Sequence, residues 1–202
     1  MELFSLKSKV IVITGAAGLL GQEHAKAVAM AGGNPILLDL NQKKLDELAQ
    51  KISKLYDIEC QGYEVDITDE KSVKKNCAKI VKFFGKIDGL INNAANNPKV
   101  EDNNNNFSRL ENFPIEIWNQ DLDVSLKGSF LCSKYYGYQI SKNSKGGSII
   151  NVSSDLGLVA PNQNLYKKEG LLDDDQSVKP ITYSITKHGI IGLTRYLSTY
   201  WA

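Results

Sequence analysis

Five short runs of apolar, β-prone residues recur along the chain, and a stretch with helical spacing follows most of them. The runs are Lys9–Thr14 (KVIVIT), Pro35–Asp39 (PILLD), Gln61–Asp66 (QGYEVD), Ile87–Asn93 (IDGLINN) and Ser148–Ser153 (SIINVS). Most are apolar nearly throughout rather than alternating, the pattern of strands buried on both faces of a parallel sheet. Helices are expected at about Leu19–Ala31, Gln42–Leu55, Asp69–Phe84 and Pro114–Lys142, with a last one from Thr182 to the end. Asn41 is placed to cap the second. The Thr68 hydroxyl is expected to cap the third, whose acidic pair Asp69–Glu70 suits the positive helix end. Alternation of this kind implies right-handed crossovers and an α/β, doubly wound sheet. The expected strand order is 3-2-1-4-5, with ligands at the carboxyl ends of the strands.

A length of 202 residues suits one domain, residues 1–202, without internal repeats. The formal net charge of +1 gives no global field toward nucleic acid or an anionic membrane, and neither is expected as a partner. No signal core is evident at the N-terminus, and no run reaches the roughly 18 apolar residues of a membrane span. Cys60, Cys77 and Cys132 are odd in number and form no CxxC pair, so reduced thiols and a cytoplasmic setting are expected rather than disulfides or zinc. His24 and His188 have no ligand companions and are assigned to packing or surface. Two polar stretches interrupt the pattern. One runs from about Asn96 to Asn112 and contains Asn103–Asn106. The other, 161–180, contains Asp173–Asp175, which is read as solvated surface rather than a metal site. No metal is expected.

The first strand leads directly into Thr14-Gly15-Ala16-Ala17-Gly18-Leu19-Leu20-Gly21 and then a helix. Glycines there let the backbone turn sharply and approach a pyrophosphate, while the helix N-terminus offers unpaired N–H groups and a positive dipole end. That position between first strand and first helix is the one expected of the phosphate turn of a Rossmann-like sheet, with Gly15, Ala17, Gly18, Leu19, Leu20 and Gly21 expected against the cofactor. Asp39, followed by Leu40, closes the second strand about 20 residues further on, where an acid can accept hydrogen bonds from the adenosine ribose. A carboxylate there repels the 2′-phosphate of NADP, and no Arg or Lys interrupts the turn, so NAD is the expected cofactor.

Tyr183-Ser184-Ile185-Thr186-Lys187 opens the last helix. Residues four apart share a helix face, so the phenol and the ammonium can meet one cleft. Tyrosine ordinarily ionises near pH ~10, too high for a base near neutrality, and a neighbouring ammonium favours the phenolate. Upstream, Ile150-Asn151-Val152-Ser153-Ser154-Asp155-Leu156-Gly157 places serine hydroxyls at a strand's carboxyl end, where one can donate to a carbonyl as it becomes an alkoxide.

With these pieces in order, the chain resembles the short-chain dehydrogenase/reductase superfamily from its first strand to its last residue. The matching pieces are TGAAGLLG, Asp39, VDIT around Asp66, INNAA (Ile91–Ala95), LDVSLKGSFLCS (Leu122–Ser133), GGSIINVSSDLG and YSITK. The resemblance implies that Tyr183 is the general acid/base, that Lys187 holds the nicotinamide ribose and lowers the tyrosine pKa, and that Ser154 orients the substrate. It implies that Asp66 and Ile67 flank the adenine, and that Asn92 and Ala94, with Asn93 and Ala95, line the cofactor. The implied reaction moves hydride between nicotinamide and an alcohol or carbonyl carbon of a small polar, sugar-like substrate. Homo-oligomers are implied for a full-length chain.

The sequence departs from the family pattern in four places. Ser125 stands where Asn usually holds a water in the proton relay, so a weakened or rerouted relay is expected. The glycines are spaced GxxGxxG, as in the family's sugar-nucleotide epimerases and dehydratases. Ser154-Asp155 also resembles part of the latter's Thr-Asp-Glu, although Leu156 replaces the Glu. Residues 161–180 form an insertion between Ser154 and Tyr183, read either as a polar lid over the substrate cleft or as a solvated loop. In this respect the chain resembles reductases of flagellin and surface-glycan modification. Finally, the chain stops at Tyr200-Trp201-Ala202, before the usual sixth and seventh strands, which would leave the fifth strand's outer edge bare. Three functions remain open: an NAD-dependent alcohol or carbonyl oxidoreductase, an epimerase or dehydratase that retains NAD, and a non-catalytic nucleotide-binding subunit.

Overall fold

The computed structural model describes residues 2–96 and 108–202, so most of the Asn96–Asn112 stretch, with its Asn103–Asn106 tract, lies outside the described residues. The chain forms two compact units, Met1–Ala94 with Gly128–Val152, and Ala95–Lys127 with Ser153–Ala202.

The first unit holds the whole sheet. Strands β1 (Val10–Thr14), β2 (Asn34–Asp39), β3 (Gln61–Glu64), β4 (Gly89–Asn92) and β5 (Ser148–Asn151) lie in the order β3-β2-β1-β4-β5. All neighbours are parallel. This is the expected topology. Each strand is shorter than its apolar run except β2, which starts one residue earlier, because ladder hydrogen bonds rather than hydropathy set the ends.

Helices α1 (Leu19–Met30), α2 (Gln42–Tyr56) and α3 (Glu70–Phe84) follow the first three strands. Ile11, Ile13 and Leu37 pack with Ala25, Val28 and Ala29 of α1 and with Leu45, Leu48 and Ile52 of α2. Successive strand residues face opposite ways, and Val10, Val12, Ile36 and Leu38 are as deeply buried as their neighbours. Burial on both sides explains why β1, β2 and β4 lack alternation, whereas the edge strands β3 and β5 are only partly buried, with Ile150 exposed.

Asn41 caps α2 as expected, its side chain accepting from the Lys44 N–H. At α3 the expectation is corrected. Asp69, not Thr68, is the cap, accepting from the Lys71 and Ser72 amides. The Thr68 hydroxyl instead donates to Asp66 Oδ1 at 2.7 Å. A carboxylate offers two acceptor oxygens to two free amides, one more than a hydroxyl reaches in this geometry.

The expected helix Pro114–Lys142 is a run of α4 (Ile115–Leu122), α5 (Gly128–Cys132) and α6 (Tyr138–Ser141), joined by π segments at Asp123–Lys127 and Ser133–Gly137. Within the first unit this run buries Tyr136, whose hydroxyl donates to Asn76 Oδ1 at 2.9 Å. Cys60, Cys77 and Cys132 are free and buried. Burial pushes the Cys60 thiol up to about 12 and the Cys77 thiol up to about 11, which keeps them protonated and unreactive.

In the second unit, α7 (Ile181–Tyr200) packs against α4 and against a 3₁₀ turn at Asp155–Gly157. No helix among the described residues is long and apolar enough to cross a membrane.

One buried acid holds the start of the sheet. Asp88 Oδ2 accepts from the Val10 N–H at 2.9 Å and pairs with Lys86 at 2.9 Å, while Oδ1 pairs with Lys9 at 3.1 Å. Burial alone would raise its pKa, but the Val10 amide and the two ammonium groups outweigh it and hold the carboxyl below its usual value. A depressed folded-state pKa gives stability that is present above the unfolded-state value of about 3.9 and is lost as pH falls through the folded one. Asp88→Asn is expected to lose about 2 kcal/mol at pH 7 by urea denaturation, with its deficit shrinking toward zero below about pH 4. A deficit independent of pH would contradict this role.

Candidate active site

In the first unit, β1 ends at Thr14, whose buried hydroxyl oxygen accepts from the Asn93 and Ala94 amides, each at 3.0 Å. Asn93 Nδ2 donates back to the Thr14 carbonyl at 2.9 Å and the Gly15 carbonyl at 3.2 Å. The end of β4 therefore fixes the glycine turn. At Gly21 the helix comes so close that an added Cβ would lie 2.2 Å from the Gly15 carbonyl oxygen. Only glycine permits that approach. Gly18 sits at the α1 N-cap and supplies no side-chain cap, leaving the helix start to another acceptor.

Asp39 bends onto the same turn. Its Oδ2 accepts from the Ala17 N–H at 3.0 Å and its Oδ1 from the Leu40 N–H at 2.8 Å. Leu19, Leu20 and Leu40 are exposed around the turn. Asp66 is exposed and tied to Thr68, whereas Ile67 is buried. Asn92 is placed differently from the cofactor-lining expectation: it is buried, and its Nδ2 donates to Asn151 Oδ1 at 2.8 Å and Ser133 Oγ at 3.2 Å. It ties β4 to β5 and to the adjoining helical run. A groove missed in the sequence runs beside Ala17, walled by Gln22, Lys26, Lys44, Glu47 and Lys51.

In the second unit, α7 presents Tyr183 and Lys187 one turn apart, with the Lys187 Nζ 5.8 Å from the tyrosine ring centroid. Lys187 is 7% exposed, and burial lowers its pKa from the ordinary lysine value. The Thr182 hydroxyl donates to Asp121 Oδ2 at 2.5 Å, a buried bond that pins the start of α7 to α4. The Ser153 hydroxyl donates to the Lys187 carbonyl at 2.8 Å. At Gly157 an added Cβ would meet that carbonyl oxygen at 2.7 Å, so glycine lets the 155–157 turn press onto α7.

Ser154 caps that turn. Its hydroxyl accepts from the Leu156 N–H at 3.2 Å and donates to Asp155 Oδ1 at 2.7 Å. A hydroxyl has one proton to give, so Ser154 must turn from Asp155 before it can donate to a substrate. The hydrogen bond from Ser154 and the Leu156 amide lower the Asp155 pKa. Ser125 is buried in the first π segment, an irregularity that often marks functional sites. Ala95 is exposed.

The 161–180 insertion is folded onto itself. Gln176 is buried, its amide accepting from the Lys168 N–H and donating to the Lys168 and Leu171 carbonyls. Arg109 holds its acidic turn, donating to the Asp173 carbonyl at 2.8 Å. The Lys179 N–H donates to Gln163 and the Val178 N–H to Ser108. The insertion ends at a small cleft lined by Asn96, Asp121, Lys179, Thr182, Tyr183 and Thr186. There the Lys179 Nζ lies 3.9 Å from the Tyr183 ring centroid. The sequence reading missed Lys179, although its spacing of four before the tyrosine mirrors that of Lys187. Asp173–Asp175 form an exposed 3₁₀ turn, and among the described residues no group of three His, Cys, Asp or Glu side chains could hold a metal ion.

Comparison with known proteins follows the same lines. The short chain dehydrogenase family profile matches residues 9–167. The protein named "Probable NADP-dependent mannitol dehydrogenase" of Yarrowia lipolytica is 32% identical, over 100% of this chain and 65% of its own length. The NAD-dependent glycerol dehydrogenase of Listeria innocua is 29% identical, over 98% of this chain and 67% of its own length. The crystal structure of an NAD+-bound xylitol dehydrogenase superposes with a TM-score of 0.80 at 25% identity, over 97% of this chain and 66% of that one. The chain thus spans about two thirds of the length of the relatives it matches, and over that span it belongs to the short chain dehydrogenase family.

Proposed function

We propose that this chain serves a nicotinamide-dependent oxidoreductase that interconverts a polyol or related sugar alcohol and its carbonyl form, with NAD as the preferred cofactor. The observation that carries the reading is the pairing of Tyr183 with the buried ammonium of Lys187 on one turn of α7.

The first unit fits a dinucleotide. The uncapped start of α1 suits a pyrophosphate, and Gly21 lets that helix lie against the Gly15–Ala16 backbone of the turn. Gly15, Ala17, Gly18, Leu19, Leu20 and Gly21 would hold the phosphates, and Asp39 with Leu40 the adenosine ribose. Asp66, Ile67, Ala94 and Ala95 would line the remainder. When bound, the cofactor accepts or supplies the hydride.

The protein's own residues handle the proton. Tyr183 takes it from the carbinol hydroxyl during oxidation and returns it during reduction. Lys187, its ammonium one turn from the tyrosine ring, would hold the nicotinamide ribose. Ser154, released from Asp155, donates to the substrate oxygen. Ser125, shorter than an amide side chain, would hold a relay water more weakly. For the substrate class we favour polyols over surface glycans, because mannitol, glycerol and xylitol dehydrogenases are among the proteins the chain matches. Three buried free thiols support a reducing, cytoplasmic compartment. Exposed, stacked Tyr196 and Tyr200 on α7 support self-association.

A second cofactor reading, NADP, draws on Lys26, Lys44 and Lys51 in the groove beside Ala17. The relatives divide as well: three mannitol dehydrogenases are NADP-dependent by name and the glycerol dehydrogenase is NAD-dependent.

Two measurements test the proposal. In the full-length protein, Tyr183→Phe is expected to cut mannitol, xylitol or glycerol oxidation on the order of a hundred- to ten-thousand-fold while dinucleotide binding persists. Undiminished turnover would remove Tyr183 from its role. For the cofactor, Asp39→Ala is expected to lower kcat/KM with NAD roughly tenfold and raise it with NADP. A wild-type protein that already prefers NADP would transfer the decision to the three lysines.

A further inference from the structure

We propose that Lys179 is a second cation of the Tyr183 site, a positioning residue that the 161–180 insertion sets against the face of the tyrosine ring. The proposal rests on the assignment of Tyr183 as the proton-transfer group.

The geometry is specific. The Lys179 Nζ stands 3.9 Å from the ring centroid, nearer than the Lys187 Nζ at 5.8 Å. An ammonium over an aromatic face is drawn to its negative quadrupole, and more strongly where water is thin. Lys179 is partly buried, and that burial lowers its pKa. Its backbone is fixed on both sides, by the N–H donated to Gln163 and by Pro180 at the α7 N-cap. Residues 161–180 are thus folded around buried Gln176, and their last turn delivers a cation to the tyrosine.

Among the described residues, the charged groups facing Tyr183 come from three elements. Lys179 belongs to the insertion, Lys187 to α7, and Asp121 to α4, where its carboxylate accepts from the Thr182 hydroxyl. Among the described residues, the Lys179 ammonium is the cation nearest the ring face, and removing it tests whether its charge acts on the phenol. In the proposed role Lys179 serves the tyrosine twice, by holding the ring plane and by biasing its charge.

The test uses Lys179→Met, which keeps most of the stem, Lys179→Gln as a second neutral variant, and Lys179→Arg, which keeps the cation. In polyol oxidation by the full-length protein, the acid limb of the kcat/KM profile is expected to move up by about one pH unit in both neutral variants, a tenfold loss on that limb. Lys179→Arg is expected to restore the wild-type profile. In parallel, tyrosines labelled with ¹³C at Cζ are titrated by NMR without substrate, the Tyr183 signal being identified by its loss in Tyr183→Phe. Its midpoint is expected to move the same way. If the wild type turns over no polyol, the functional reading fails, and the NMR titration alone decides Lys179. An NMR midpoint and an acid limb that both stay in place without the cation would overturn the proposal.

Discussion

Taking an ammonium out of water is unfavourable, and this protein accepts that cost at Lys187. The side chain is 7% exposed, and its pKa falls because of burial. A buried cation persists only where neighbouring groups compensate it, and strained or costly groups concentrate where function needs them. The local architecture of the second unit serves this residue. Ser153 donates to its carbonyl, Gly157 lets a turn press against it, and the Thr182–Asp121 bond fixes the start of its helix. The same helix carries Tyr183 one turn earlier.

The first unit obeys a different constraint. The central strands β1, β2 and β4 are buried on both faces, and at their carboxyl ends backbone and side chains hold one another in a fixed frame. Thr14 and Asn93 exchange four hydrogen bonds across the β1 and β4 ends, counting those to Ala94 and Gly15, which sets the turn before α1 begins. Asp39 then bridges that turn to β2 through Ala17. An anion approaching the start of α1 meets aligned amides on a fixed frame.

Much of this was legible in the sequence. Strand order followed from near-continuous apolar runs alternating with helices, because few topologies satisfy right-handed crossovers. The one-turn spacing of Tyr183 and Lys187 and the glycine turn before α1 were legible because both depend on local sequence. What the sequence left open are contacts that residue type alone does not decide. Thr68 and Asp69 are both capping residues by type, and only the α3 geometry decides between them. Asn92 looked like a cofactor residue until its amide met Ser133 and Asn151. Ser154 carries the right hydroxyl, yet the structure commits its proton to Asp155. Lys179 was hidden in a polar insertion whose order depends on Gln176 closing onto residues eight and five positions earlier.

The central claim is that the Lys187 cation makes Tyr183 a competent proton-transfer group. Its most direct test is the pH profile of polyol oxidation in the full-length protein carrying Lys187→Met, with dinucleotide held at saturation. The account predicts a rate lowered at least tenfold at neutral pH, with the loss partly recovered as pH rises toward the ordinary tyrosine range near ~10. A variant that keeps both the rate and the pH profile of the wild type would contradict it.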